Sequence, residues 1–273
     1  MNSLLRTLSL LVIMWSATIS FATSLVYNFV YYYPPGGGQD IATSPLIKYM
    51  ERNNIQVNKM FFKTCTEAIA YATTNFTPSY LVVFDDDFQN RGTGPCPNIE
   101  SLPSRPKLIT NLTSSPLYLC TAPNKSSLTV SDLTRGKHFI GMSSNPVRHF
   151  NELKNSIPYY GLIPIPYDGT GKLKTSLAGT DLDFFYATGI VTDMIERGAT
   201  CLLSSTKVNS FNLPFIGTVF PKANEMPVTN TLWGNSAITG ADIVILKEAL
   251  RSPEFTGWIS KQKVATHEGI GKF

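Results

Sequence analysis

The chain has 273 residues and a mass of 30.1 kDa, is 43% hydrophobic and 15% charged, and carries a formal charge of +4. Disorder demands low hydrophobicity with high net charge, so this composition excludes it. A multispanning membrane protein is excluded because one apolar run alone, at the N-terminus, approaches membrane length. Lys and Arg are scattered, which points away from nucleic acid.

In chain order, residues 1–22 read as an export signal. Arg6 gives a positive head, Leu8–Ile19 an apolar stretch, and Ser20-Phe21-Ala22 the small residues a signal peptidase reads. The stretch is shorter than the roughly 20 residues a spanning helix needs. Cleavage near Ala22 and a periplasmic or otherwise extracytoplasmic location are expected. Export makes Cys65, Cys96, Cys120 and Cys201 candidates for disulfides in any of three pairings. Their spacing matches no zinc pattern, and His138, His149 and His267 carry no catalytic signature, so neither a metal site nor a cofactor is expected.

Beyond the signal, short apolar stretches alternate with amphipathic ones. Leu25–Tyr33, rich in Val, Phe and Tyr, predicts a strand, and Asp40–Asn53 a helix with Asp40 as N-cap. Asn58–Phe62 and Tyr80–Phe84 predict strands around a helical Glu67–Thr73. The stretch 85–105 predicts a surface loop, and Lys107–Leu119 returns to strand character. Thr129–Arg135 opens a new unit. Strands follow at His138–Met142 and Leu162–Ile165, with helical Val147–Asn155 between them. Next come helix Leu173–Ala178, strand Asp183–Tyr186, helix Thr188–Arg197, strand Thr200–Ser204, and helices Ala241–Leu250 and Glu254–Gln262. This alternation predicts an α/β fold with mainly parallel sheets.

Three strand-to-helix junctions carry the chemistry. In Tyr33-Pro34-Pro35-Gly36-Gly37-Gly38-Gln39-Asp40, three glycines let the backbone approach a ligand, and the helix that follows directs unpaired N–H groups and a positive dipole end at the same space. That combination suits a carboxylate or a phosphate. Neither a Walker loop nor GxGxxG is met. Ile165-Pro166-Tyr167-Asp168-Gly169-Thr170-Gly171 and Gly141-Met142-Ser143-Ser144 repeat the arrangement. Loops converging at strand ends are where open sheets bind ligands. No GxSxG, HExxH or paired-carboxylate motif supports an enzyme.

These segments resemble, in order and spacing, the extracytoplasmic solute-binding proteins of tripartite tricarboxylate transport systems, the Bug family. The first loop is similar to that family's (F/Y)PPGGxxD. Ser114-Ser115-Pro116-Leu117 and Ser131-Asp132-Leu133 are similar to its SSPL strand and DL helix. Tyr167-Asp168-Gly169-Thr170-Gly171 with Ala178-Gly179-Thr180-Asp181-Leu182-Asp183 echoes its PYKGTG block, and Trp233-Gly234 with Ser252-Pro253-Glu254-Phe255 its final region. Departures occur at Phe61–Glu67, where the family has Gly-Ala-Gly-Gly, at Asp85–Pro97, and at Asn145–His149.

The resemblance implies a two-lobed type II periplasmic-binding fold with an interlobe ligand cleft, one lobe from residues 23–117 and 221–273 and the other from 118–220. It implies a non-catalytic monomer that captures a small carboxylate and hands it to membrane transporter subunits. The alternatives are an extracytoplasmic sensor that signals through a partner and, ranked behind it, an exported enzyme. The ligand-binding residues implied are Tyr33, Pro35, Gly36, Gly37, Gly38, Asp40, Ser143, Ser144, Tyr167, Gly169, Thr170, Gly171 and Asp183.

Overall fold

The structure, a computed structural model, describes residues 26–74, 80–84, 106–143, 147–156, 161–167, 169–179 and 181–261. The expected signal segment, the loop at 85–105, Ser144 and Asp168 lie outside the described residues.

The first sheet begins with β1 (Val26–Tyr31), β2 (Gln56–Phe61) and β3 (Tyr80–Phe84), which pair in parallel. Helix α1 (Gly38–Arg52) links β1 to β2, and α2 (Cys65–Thr74) precedes β3. β4 (Lys107–Ser115) completes this part of the chain. The second sheet takes β5 (Tyr118–Thr121), β6 (His138–Ser143), β7 (Leu162–Tyr167), β8 (Phe184–Ala187) and β9 (Cys201–Ser204). Its helices are α3 (Val147–Ser156), α4 (Gly169–Ser176) and α5 (Val191–Glu196). After a short α6 (Ile216–Val219), β10 (Val228–Gly234) returns to the first sheet, followed by α7 (Gly240–Arg251) and α8 (Pro253–Ile259).

Strand order is β2–β1–β3–β10–β4 in the first sheet and β7–β6–β8–β5–β9 in the second. Each described sheet has three parallel strands, then one strand reversed against both its neighbours (β10 or β5), then a fifth that runs with the first three, so antiparallel pairings are as numerous as parallel ones. This corrects the expectation of mainly parallel sheets. The chain crosses between the sheets twice, and the strands that follow the crossings, β5 and β10, run back against their neighbours.

The strand character expected over Lys107–Leu119 is divided between two strands in different sheets. Pro116 has no N–H to continue a ladder, and the first crossing is made at Pro116-Leu117. The second crossing, residues 205–227, lies beside the first. The Leu117 N–H donates to Ser205 Oγ at 2.9 Å, the Ser205 N–H to the Leu117 carbonyl at 2.8 Å, and the Met226 N–H to the Ser205 carbonyl at 2.9 Å. Ser115 ends β4, and Tyr118 pairs with Ala187 at the end of β8. Both sheets therefore direct the C-terminal ends of their parallel strands toward the crossings.

Aromatic alternation builds the first sheet's two faces. Tyr27, Phe29 and Tyr31 are buried against Leu46, Met50, Leu246 and Phe255 of α1, α7 and α8; Val30 and Tyr32 are buried with Ala68, Ile69 and Ala72 of α2. The second sheet buries Ile140, Phe184 and Tyr186 on one face and Tyr118, Phe185 and Ala187 on the other. A disulfide joins Cys120 to Cys201, which face each other across β5 and β9; Cys65 is also disulfide-bonded.

Candidate functional site

The glycine loop follows β1 at the crossing end of the first sheet, and its three glycines have three different positions. Pro34 to Gly37 is a tight turn closed by the Gly37 N–H on the Pro34 carbonyl at 3.0 Å. Gly36 occupies its corner at φ +77°, where a residue with a Cβ is strained, and Pro35 fills the position before it, as in a type II turn. A Cβ at Gly37 would lie 3.0 Å from the Pro34 carbonyl oxygen. Gly38 needs neither concession: its φ is ordinary, and an added Cβ would meet nothing within 4 Å. Its bare backbone leaves the start of α1 open.

That start is earlier than the sequence predicts. Gly37, not Asp40, is the N-cap, and it brings no side chain to the N–H groups of Gly38, Gln39 and Asp40. Asp40, in the first turn, reaches back to accept the Gly36 N–H at 2.9 Å and pairs with Lys59 of β2 at 2.7 Å. Burial alone would raise the Asp40 pKa. The hydrogen bonds from Lys59 and Gly36, with the Lys59 charge, outweigh burial and hold it below the usual carboxylate value. Asp40 thus organises the loop, and Lys59 balances its charge beside the open helix end.

The second sheet contributes matching elements. Ser143 and Tyr167 end β6 and β7 and face each other in the parallel register. Helix α4 begins at Gly169, so Gly169, Thr170 and Gly171 form its first turn rather than a loop before the expected helix at Leu173. Gly141 has a packing role: a Cβ there would lie 2.6 Å from Leu173 and 2.7 Å from Leu182, so its bareness seats α4 on β6. Tyr33, Pro35, Gly36, Gly37, Gly38 and Asp40 thus stand at the crossing end of one sheet, and Ser143, Tyr167, Gly169, Thr170 and Gly171 at that of the other. Asp183 is not brought together with them. It precedes β8, accepts the Phe139 N–H at 3.0 Å and lies 3.4 Å from His138 Nδ1, joining the N-terminal ends of β6 and β8.

Sequence reasoning passed over Gln39 and Thr188. Gln39 is 1% exposed, yet neither polar atom of its carboxamide has a partner; Thr188, just after β8, has a buried Oγ1 that is equally unpartnered. The signal for Gln39 was its place at the head of the buried α1 stripe that continues through Thr43 and Leu46. Beside the crossings, a small recess is lined by His149, Glu152, Tyr186, Ser205 and Met226. Burial pushes the Tyr186 hydroxyl well above its ordinary pKa, with the Ser205 hydrogen bond opposing and Glu152 adding to the rise. Among the described residues no cluster of His, Cys, Asp and Glu could hold a metal ion.

Two α/β lobes joined by paired crossings, with helix N-termini converging there, have counterparts among solved structures. A Rhodopseudomonas palustris protein solved with adipate superposes at TM-score 0.74 with 15% identity, over 92% of this chain and 91% of the other. The fold is that of a periplasmic binding protein. MatC from R. palustris with bound malate matches at TM-score 0.69 and 13% identity over 90% of each chain. The periplasmic binding protein BugD matches at 0.69 and 13% over 88% of this chain and 87% of its own. No protein-family model matches the chain. No curated protein matches it either.

Proposed function

We propose that this protein is a divergent extracytoplasmic solute-binding protein of the Bug type, which captures a small carboxylate between its lobes and delivers it to a tripartite tricarboxylate-type membrane transporter. The observation that carries the reading is Gly38: it opens the head of a 15-residue helix where neither turn geometry nor packing calls for a glycine. Uncapped N–H groups and a helix dipole suit a carboxylate there, and the first turn of α4 offers the same chemistry from the second sheet. The adipate and malate bound by the two R. palustris proteins are in keeping with that ligand class. The reading includes signal removal near Ala22, a monomer without catalytic activity, and lobes at 23–117 with 221–273 and at 118–220 that close on the ligand.

A thermal-shift screen of mono- and dicarboxylates of graded length, each offered with and without a hydroxyl, amino or carboxamide substituent, tests it. A specific ligand at 100 times its Kd stabilises by about 2.7 kcal/mol, which raises Tm by roughly 5–10 °C in a chain of this size. A screen in which no carboxylate shifts Tm overturns the proposal.

A further inference from the structure

We infer that the Gln39 carboxamide is a specificity-determining group of this cleft, selecting acids that carry a hydrogen-bond donor beside the carboxylate over plain acids; this rests on the carboxylate-capture reading above. Buried amides are nearly always paired, because leaving their donors and acceptors unsatisfied is costly. Gln39 breaks that rule at both ends of its amide while being 1% exposed.

Its position says where the amide lies. One turn further along α1, Thr43 Oγ1 is 2.7 Å from the Tyr31 hydroxyl, so Thr43 is level with the last residue of β1. Gln39 lies a turn closer to the helix start, beyond the strand end, and helical side chains lean toward the N-terminus. The amide is therefore carried toward the space that the glycine loop and the open end of α1 face. In the second sheet, Thr188 Oγ1 is a buried, unpartnered polar atom at the same crossing end.

The chemistry of the amide then sets the ligand class. A carboxylate only accepts: it can take the Nε2–H donors and the N–H groups of Gly38 and Gln39, but leaves Oε1 unpaired. A hydroxyl, ammonium or carboxamide next to that carboxylate supplies the missing donor. A site built to hydrogen-bond such a group discriminates strongly against the analogue without it, because its own buried polar atom is then stranded. One hydrogen bond between satisfied and stranded is worth about tenfold in affinity.

The test measures Kd by titration calorimetry for matched acids of one length, succinate, malate, aspartate and succinamate, on the purified protein and on Gln39→Met and Gln39→Leu. If the carboxylate screen places the ligand at another length, the equivalent matched set is used. At least one donor-bearing acid is expected to bind about tenfold tighter than its plain counterpart. Both variants should bring the ratio to within about threefold, chiefly by weakening the donor-bearing acid, and their ligand-free Tm should hold or rise, because the stranded amide is gone. Equal binding of plain and donor-bearing acids, or a preference unchanged in both variants, overturns the inference and leaves carboxylate capture standing. A protein that binds no carboxylate of any length in the screen overturns the underlying reading and this inference with it. If both variants fold poorly, equal Kd values across the matched acids on the unaltered protein still refute it.

Discussion

Removing the Asp40 carboxylate tests how the glycine loop is held. Asp40→Ala deletes the acceptor of the Gly36 N–H, the partner of Lys59 and an acid in the first turn of α1. A hydrogen bond to a charged group in this exposed loop stands at the low end of its range, about 1.5 kcal/mol. The ion pair and the helix dipole each contribute about 0.5 kcal/mol. The total is about 2–2.5 kcal/mol, or roughly 4–10 °C in Tm. Asp40→Asn keeps an acceptor for Gly36 and loses only charge, about 1 kcal/mol; Lys59→Met removes only the pair, about 0.5 kcal/mol. In order of falling Tm the expected series is wild type, Lys59→Met, Asp40→Asn, Asp40→Ala, followed by differential scanning calorimetry at pH 7. The Asp40 pKa is lowered in the fold, so its charge contributes in full above the unfolded value of about 4 and is lost as pH falls through the folded value. The gap between wild type and Asp40→Asn should hold from pH 7 to about pH 5 and close in stronger acid. Equal Tm for Asp40→Ala and Asp40→Asn would show that the Gly36 bond contributes nothing and refute the reasoning.

Gly38→Val places its Cβ where no atom stands within 4 Å, so Tm should stay within about 2 °C while carboxylate affinity falls at least tenfold; unchanged affinity would leave Gly38 without a role in the cleft. Gly36→Val, at φ +77°, should instead lower Tm by roughly 2–8 °C, from about 1–2 kcal/mol of backbone strain. Asp183→Asn, at the far end of the second sheet, should alter stability and leave Kd unchanged; a tenfold weaker Kd would move Asp183 into the cleft. Replacing Cys120 and Cys201 together by Ser opens an 81-residue loop, worth about 4.5 kcal/mol in the chain-entropy treatment, and an undiminished Tm would contradict that.

Where hydrophobic period and breaker residues agree, the sequence is readable. β1 shows as Val-Tyr-Asn-Phe-Val-Tyr before Pro34, and α7 and α8 stand out between Gly240 and Ile259. β10 escaped notice because Thr229, Asn230 and Thr231 make it polar; it is a strand because β3 and β4 supply a ladder on either side of it. The two helices of the site were read as starting late for one reason. Gly38 and Gly169 are poor helix formers and look like loop, yet a first turn tolerates glycine because its N–H groups have no intrahelical partner anyway. The loops of the site were legible from their glycines. The solitary amide of Gln39 was not, since whether a polar side chain is satisfied depends on neighbours far away in the chain.

Among the described residues β10 is the last strand in chain order, yet it lies between β3 and β4, and β4 has no other described neighbour in its sheet. Synthesis runs from the N-terminus, so the second sheet has all five of its described strands once residue 204 emerges, while the first still consists of β2–β1–β3 and a detached β4. Those seven late residues act as a keystone, joining two fragments laid down more than a hundred residues earlier. A nascent chain stopped before Val228 carries a finished second half beside a first half with two raw edges, the state in which strands recruit the wrong partner.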